Sequence, residues 1–414
     1  MLEFCDLPYL FVPPQPQRFW MRVSSAFNRF YHFPQTLHRI TGVRIEDPHG
    51  LRDRLKRDGC GRILFLPNHS RHCDPQVMTE AFRQLGATSC FMAAYELFHR
   101  GKLAAWLLPR IGVFSVDREG SDTKALRAAG AVLREGPHAL TIFPEGNVYL
   151  MNDTVTPFLE GAAFTALRVQ KDLEDGRVLV VPVSIKYSLV HDRREAVRRK
   201  LEWLGSEAGV GLRREANLRD ELARIGLSLL GRILERQGFD VVAASAEETE
   251  RHVREVPRRI IQGLEETLGW KPGQTDDLVG RIRKVRSAIH QARTGGNPLP
   301  EGVDPAACAR DAILAQRVLT YKPTYIRENP SLDRFAETVE KIVEDWTSAM
   351  PLSLGWRRAV VRFNEPIDLS AHLPAFTKSA RETVAALTRT IEESVQHGLD
   401  EVGASLGTEG TKAF

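Results

Sequence analysis

Between residues 51 and 190, short apolar runs alternate with stretches of helical spacing, and this alternation restricts the architecture more than any other feature of the chain. The runs ILFLP (63–67), VFSV (113–116), ALTIFP (139–144) and VLVVPVSIKY (178–187) read as buried strands. Helical spacing appears near 75–86, 97–108, 121–135 and 160–174. Strands that take turns with helices build an α/β fold, a layered sheet flanked by helices. In such sheets functional groups gather at the strand ends. The polar residues just past each apolar run are therefore the first candidates for chemistry.

From about 191 to 350 the strand signal fades and Leu, Arg and Glu dominate, as in LRDELARIGLSLLGRILERQG (218–238) and EVPRRIIQGLEETLGW (255–270). An α-helical insertion before the last strand is expected, with RTGGNPLPEGVDP (293–305) as a loop inside it. RRAVVRFNEPIDLS (357–370) then reads as a sheet edge running into a turn. Residues 374–402 read as one closing amphipathic helix, and GTEGTKAF as a frayed tail. The expected organisation is an N-terminal amphipathic segment (1–50), a core (51–190), the helical insertion (191–350), the last core strand with the closing helix (351–402), and a tail (403–414).

At 414 residues the chain can bury a full-sized core, and 43% hydrophobic with 27% charged residues argues against wholesale disorder. The net charge of +4 hides local basic clusters, RREAVRRK (193–200), RHVREVPRRI (251–260) and RIRKVR (281–286). These could meet lipid headgroups or nucleic acid; solvated helix faces are the plainer reading, and no nucleic-acid partner is expected. Cys5, Cys60, Cys73, Cys90 and Cys308 are odd in number and none has C-x-x-C spacing, so neither a disulfide framework nor a zinc knuckle is indicated. The N-terminal stretch has no basic n-region and does not read as a signal peptide. No run of 18 apolar residues occurs, and LAAWLLPRIGVF (103–114) is short and interrupted. Residues 18–33 place Trp20, Val23, Phe27, Phe30 and Tyr31 on one helical face with Arg18, Arg22 and Arg29 opposite. That pattern suits a helix lying in a membrane interface and equally one packed on its own protein.

Four polar sites follow apolar runs. His69 comes after the first strand, and Asp74, five residues on, precedes Pro75, an N-cap signal. A tight turn can also return that carboxylate against the imidazole, fixing one ring nitrogen as donor and leaving the other as a base. A metal site from His69, His72 and Asp74 lacks a further ligand cluster, and Cys73 as nucleophile would compete for the same turn. Arg118 lies between a strand and a helix capped near Ser121 or Asp122, where it can bind an anion. Glu145 and Gly146 follow Phe143-Pro144, the glycine permitting a tight turn or close approach. Thr156-Pro157 ahead of Gly161-Ala162-Ala163 resembles a new helix start, and Pro182 inside an apolar strand implies an edge or a bulge shaping a pocket wall.

In chain order these residues resemble the pattern of the glycerolipid acyltransferases typified by lysophosphatidic acid acyltransferase. The matching stretches are His69-x4-Asp74, Gly112-x-Phe114-x-x-x-Arg118 beside the family's Gly-x-x-Phe-x-x-Arg, Phe143-Pro144-Glu145-Gly146, and Pro182 within an apolar strand. The resemblance covers about residues 50–190 and VVRFNEPIDL (360–369). It implies a glycerol-3-phosphate acyltransferase-like fold and an O-acyltransferase that moves a fatty acyl group from an acyl thioester, acyl-CoA or acyl-ACP, to the free hydroxyl of a lysophospholipid. The foremost acceptor would be 1-acyl-glycerol-3-phosphate, giving phosphatidic acid. His69 would be the general base and Asp74 its orienting partner. Arg118, Phe114, Gly112, Glu145, Gly146 and Pro182 would bind substrate. No metal and no cofactor beyond the thioester co-substrate is implied; acyl carrier protein and a membrane surface are the partners, on the inner face of the cell membrane. Where many members continue Thr-Arg or Thr-Ser after the glycine, this chain has Asn147-Val148. Its continuation and long insertion resemble a bacterial subset. A non-catalytic lipid-binding module of the same fold, an acyltransferase for another acceptor, and a metal-dependent hydrolase are the alternatives.

Overall fold

The computed structural model describes residues 7, 9–35, 37–120, 122–213, 215–235, 246–271, 277–322 and 324–414. Cys5, Ser121 and residues 236–238 of the expected insertion helix lie outside them. The chain divides into two compact units. One is built on a sheet (Tyr9–Asp192 and Gly355–Lys412), the other on helices (Arg193–Leu354 with Ala413–Phe414).

The sheet unit contains α1 (Arg18–Phe27), β1 (Ile40–Glu46), α2 (Leu51–Asp58), β2 (Ile63–Pro67), α3 (Asp74–Leu85), β3 (Ser89–Ala94), α4 (Lys102–Arg110), β4 (Val113–Val116), α5 (Thr123–Glu135), β5 (Ala139–Thr141), α6 (Gly161–Asp172) and β6 (Leu179–Leu189). After the helical unit it resumes with β7 (Arg357–Phe363), β8 (Ile367–Asp368), α14 (Leu373–Lys378) and α15 (Ala380–Ser405). The eight strands form one sheet in the order β1-β7-β6-β2-β5-β3-β4, with β8 also on β6. β6, β2, β5, β3 and β4 run parallel; β7 and β8 lie antiparallel to β6, and β1 is parallel to β7.

Side-chain alternation along the strands explains why helices cover both faces. Ile63 and Phe65 of β2, and Val181, Val183, Ile185 and Tyr187 of β6, pack with Val77, Met78 and Phe82 of α3 and Leu51 of α2. Leu64, Leu66 and Val180 point the other way, onto Leu133 of α5, Ala163 and Leu167 of α6 and Leu387 and Ile391 of α15.

The structure corrects several expectations. β1 lacks a clear apolar run and β3 carries one over CFMAA (90–94), yet neither is among the expected strands; β1 falls within the N-terminal 1–50 segment. The 139–144 run is a strand only over Ala139–Thr141, because Phe143-Pro144 turns away. β7 is not a sheet edge: β1 pairs it on one side and β6 on the other. Nor does Pro182 mark an edge. It faces Leu66 within the sheet, and on its other side β7 has ended and β8 not begun, so a missing N–H costs no ladder bond there. Residues 374–402 form two helices, broken at Ser379.

The helical unit holds α7 (Arg194–Glu207), α8 (Leu218–Glu235), α9 (Ala246–Thr267), α10 (Leu278–Arg293), α11 (Pro305–Leu319), α12 (Thr324–Glu328) and α13 (Leu332–Thr347). Ile260, Ile261 and Leu264 of α9 interlock with Val285 and Ile289 of α10 and Ala312 and Ala315 of α11. The basic run 281–286 is not simply a solvated face: Arg281 pairs with buried Glu265 at 2.6 Å, and Arg286 is buried. The chain end is held rather than frayed. Phe414 N–H donates to Pro330 O at 2.8 Å, and its ring lies 4.5 Å from that of Phe335.

α1 continues as a π-helical turn, Asn28–His32, and packs on α3 and α4. Its outward apolar side chains are Phe19, Val23, Phe27, Phe30 and Tyr31, joined by Leu103 and Trp106 of α4. Trp20, expected on that face, instead packs edge-on against Trp106 at 4.9 Å. Among the described residues no helix is long and apolar enough to cross a membrane.

Candidate active site

The parallel strands all present their carboxyl ends on one side of the sheet, and the polar residues singled out above stand just past them. Asn68 and His69 follow β2, Glu96 follows β3, Arg118 follows β4, and Phe143–Asn147 follow β5. Connection loops at these ends leave backbone and side chains free to face a substrate.

The turn from β2 into α3 folds Asp74 back on His69. Asp74 Oδ2 lies 2.9 Å from His69 Nδ1 and accepts the Arg71 N–H at 2.9 Å. Its Oδ1 accepts the Tyr187 hydroxyl at 2.5 Å. The expected N-cap role of Asp74 does not hold: it is the first helical residue, and Cys73 takes the cap position without a side-chain bond. The carboxylate is thus spent on the histidine rather than on the helix. Asp74 has no exposed surface, whereas the His69 side chain is 16% exposed. No described residue bonds His69 Nε2, and the ring stacks on Phe143 with centroids 4.2 Å apart. An imidazole with Nδ1 held by a carboxylate and Nε2 bonded by no described residue can take a proton from a bound hydroxyl.

Glu145 serves the same histidine from the other side. Its Oε1 accepts the His69 backbone N–H at 2.7 Å; Oε2 accepts the Thr156 N–H at 3.2 Å and the Thr156 hydroxyl. Burial pushes the carboxyl up to about 7, partly offset by those donors. Gly146 closes the 143–146 turn at φ 74°, and a Cβ there would sit 3.0 Å from Leu159 Cδ1. Both oxygens of Glu145 therefore hold protein, a role its sequence context does not disclose.

Arg118 is joined to the same turn. Its Nη1 donates to Asn147 Oδ1 at 3.0 Å and its Nη2 to Glu96 Oε1 at 3.1 Å. Arg118 Nε and Glu96 Oε2 are buried with no hydrogen-bond partner among the described residues. Asp122 caps α5 through the Ala125 N–H at 2.9 Å.

The remaining candidates stand apart from this group. Phe114 is fully buried in the core beneath α5 and α6. Gly112, at φ 87°, turns α4 into β4, where a Cβ would approach Cys90 Sγ and Ser89 O at 3.4 Å. Pro182 lies within the sheet. Burial, followed by the Asp74 charge, pushes the Cys73 thiol up to about 12, so it does not supply a thiolate. Among the described residues no three His, Cys, Asp or Glu side chains are placed to hold a metal ion. Sequence reasoning misses Thr156, Glu96 and Tyr187 as site residues. Only Tyr187 leaves a trace, its spacing of two from the apolar Ile185 and four from Val183 putting it on the face of the sheet that meets α3.

The fold and this site define an α/β protein with a buried carboxylate–histidine pair at the carboxyl ends of parallel strands. Residues 43–186 match the family model described as Acyltransferase, which supports acyl transfer as the general reaction of this segment. No curated protein matches the chain.

Proposed function

We propose that the protein transfers a fatty acyl group from an acyl thioester, carried by coenzyme A or acyl carrier protein, to the free hydroxyl of a lysophospholipid. 1-Acyl-glycerol-3-phosphate is the foremost acceptor. The observation that carries this is the 2.9 Å contact between His69 Nδ1 and Asp74 Oδ2, with Nε2 bonded by no described residue. His69 Nε2 takes the acceptor's hydroxyl proton as its oxygen attacks the thioester carbon. The tetrahedral intermediate collapses, the carbon–sulfur bond breaks, and the thiolate leaves with the proton from the imidazolium. A positioned base contributes roughly 10²–10⁴-fold to such a step, and holding the two substrates together supplies much of the rest. The test is lipid mass spectrometry on purified protein given oleoyl-CoA or an acyl carrier protein thioester with a panel of lysolipids, beside His69→Ala. Product from wild type alone supports the reading. Equal product from both removes His69 as base, and none from either favours a lipid-binding module.

Arg118 is the candidate for the acceptor's anionic group, and Glu96 bears on it. A phosphate approaching Arg118 meets the Glu96 carboxylate, a like charge that opposes it by about 1–2 kcal/mol at a partly buried site. Glu96→Gln is therefore expected to lower KM for a phosphomonoester acceptor about tenfold with kcat little changed. An unchanged or higher KM in steady-state assays would count against Arg118 as headgroup ligand.

A two-chain product cannot cross water, so the site must work at a bilayer surface. The outward apolar side chains of α1 and α4 support such a contact: Phe30 is 76% and Leu103 72% exposed. Arg29 lies over Phe30 and Arg110 over Trp106, so cationic groups rim the apolar patch. Changing Phe19, Phe27 and Phe30 together to Ser should abolish co-flotation with anionic liposomes. Undiminished flotation would place the contact elsewhere.

A further inference from the structure

β6 outlasts its partner. β2 makes its last pairing at Pro67 with Val183, yet β6 continues to Leu189. Beyond that point two buried asparagine side chains take over the ladder. Asn68 Nδ2 donates to Ile185 O at 3.0 Å while its Oδ1 accepts the Ile185 N–H at 2.7 Å. Asn152 repeats this at Tyr187, at 2.6 Å and 2.7 Å. A carboxamide offers one donor and one acceptor much as a peptide group does, so each side chain stands in for a residue of the departed strand. The opposite edge of β6 is held by β7, with Tyr187 opposite Ala359.

Tyr187 is thereby fixed on both sides of its backbone. Its ring shares the α3 face with Val183 and Ile185, and its hydroxyl reaches Asp74. That hydroxyl is the one donor to Asp74 Oδ1 among the described residues, while Oδ2 receives both the histidine and the Arg71 N–H. With Asp74 wholly buried, solvent does not replace it. Tyr187 lies one residue beyond the segment that matches the acyltransferase model.

We infer that Tyr187, held in place by Asn152, is a positioning residue for the His69–Asp74 pair: its hydroxyl draws charge to the carboxylate oxygen away from the histidine and so sets how strongly the other oxygen holds the imidazole. The inference rests on the general-base reading above. When the phenol is gone, carboxylate charge concentrates on Oδ2 and favours the imidazolium.

The test uses the full chain with Tyr187→Phe, Asn152→Ala, Asp74→Asn and the Tyr187→Phe/Asp74→Asn double variant. Tyr187→Phe should lower kcat about tenfold to a hundredfold with both KM values unchanged. It should also move the acid limb of the kcat–pH profile up by about 0.5–1 pH unit. Asn152→Ala should move it in the same direction by less, and this covers the case in which Tyr187→Phe fails to fold. In the Asp74→Asn background Tyr187→Phe should cost less than about twofold, because the pair acts as one unit. The NMR resonances of the His69 imidazole should differ between Tyr187→Phe and wild type, a readout that needs no turnover and so stands even if no acyl transfer is found. An unmoved limb and imidazole in the folded variants, or full additivity in the double variant, would overturn the inference.

Discussion

His69→Ala is expected to lower acyl transfer at least about 10²-fold and as much as about 10⁴-fold at neutral pH, with thermal stability nearly unchanged. The stability half of that expectation comes from exposure. The imidazole touches solvent, stacks on a single ring, and makes one side-chain bond. Its removal opens little core. It does leave Asp74 buried with two donors rather than three, a cost set against the retained Tyr187 and Arg71 bonds. Rate measurement beside a melting curve separates the two effects. A large drop in melting temperature with a proportionate drop in activity would mean that His69 is a structural residue and that the base lies elsewhere.

Glu145→Gln is expected to cost about 2–4 kcal/mol of stability and roughly 10²-fold in kcat. An amide cannot accept from the His69 N–H and the Thr156 N–H together, since one end now donates, so one buried donor is left unmet. The histidine's backbone is released with it, and a displacement of about an ångström at a reacting group costs that much in rate. A pH dependence follows as well. Because burial raises the folded-state carboxyl to about 7, against about 4.3 when unfolded, its stabilising contribution is full below about pH 4.3 and is lost as pH rises through about 7. The glutamine variant would carry no such dependence. The stability difference between wild type and variant, read from denaturant unfolding between about pH 4.5 and about pH 8, should therefore narrow as pH rises. A difference that stays constant, or widens, would show that Glu145 is not a strained buried acid.

The elements legible in the sequence are those with a strong local signature. ILFLP, VFSV and the long β6 run are apolar enough to name themselves, and Asp122 behaves as an N-cap. β1 is not legible because ITGVRIE is a mixed sequence that becomes a strand by pairing with β7; β3 does carry an apolar run, CFMAA, but with alanines and no β-branched residue it has no strand preference of its own and becomes a strand by pairing with β4 and β5. The same holds for the site. His69 and Asp74 lie close in sequence and a tight turn joins them, so their pairing can be read from spacing. Glu145 reaches the His69 backbone across 76 positions, and Tyr187 reaches Asp74 across 113. Such contacts depend on strand order, which no local pattern carries. The expectation that Glu145 faces substrate comes from its place in a motif; its two oxygens are fully engaged by protein.

One consequence of the strand order concerns how the chain is made. β6 is complete by residue 189, but β7, which flanks it and is the sole described partner of β1, begins at residue 357. At synthesis rates of about 5–20 residues per second, β1 and the outer edge of β6 wait on the order of ten seconds or more for their neighbour. During that interval the strand that carries Tyr187 has one side unpaired. The nascent protein can therefore hold His69 and Asp74 in sequence order long before it holds them in a finished sheet, and the ribosome reaches the last strands only after building an entire helical unit. A fragment ending near residue 190 would correspond to that waiting state, with an open strand edge of the kind that recruits wrong partners.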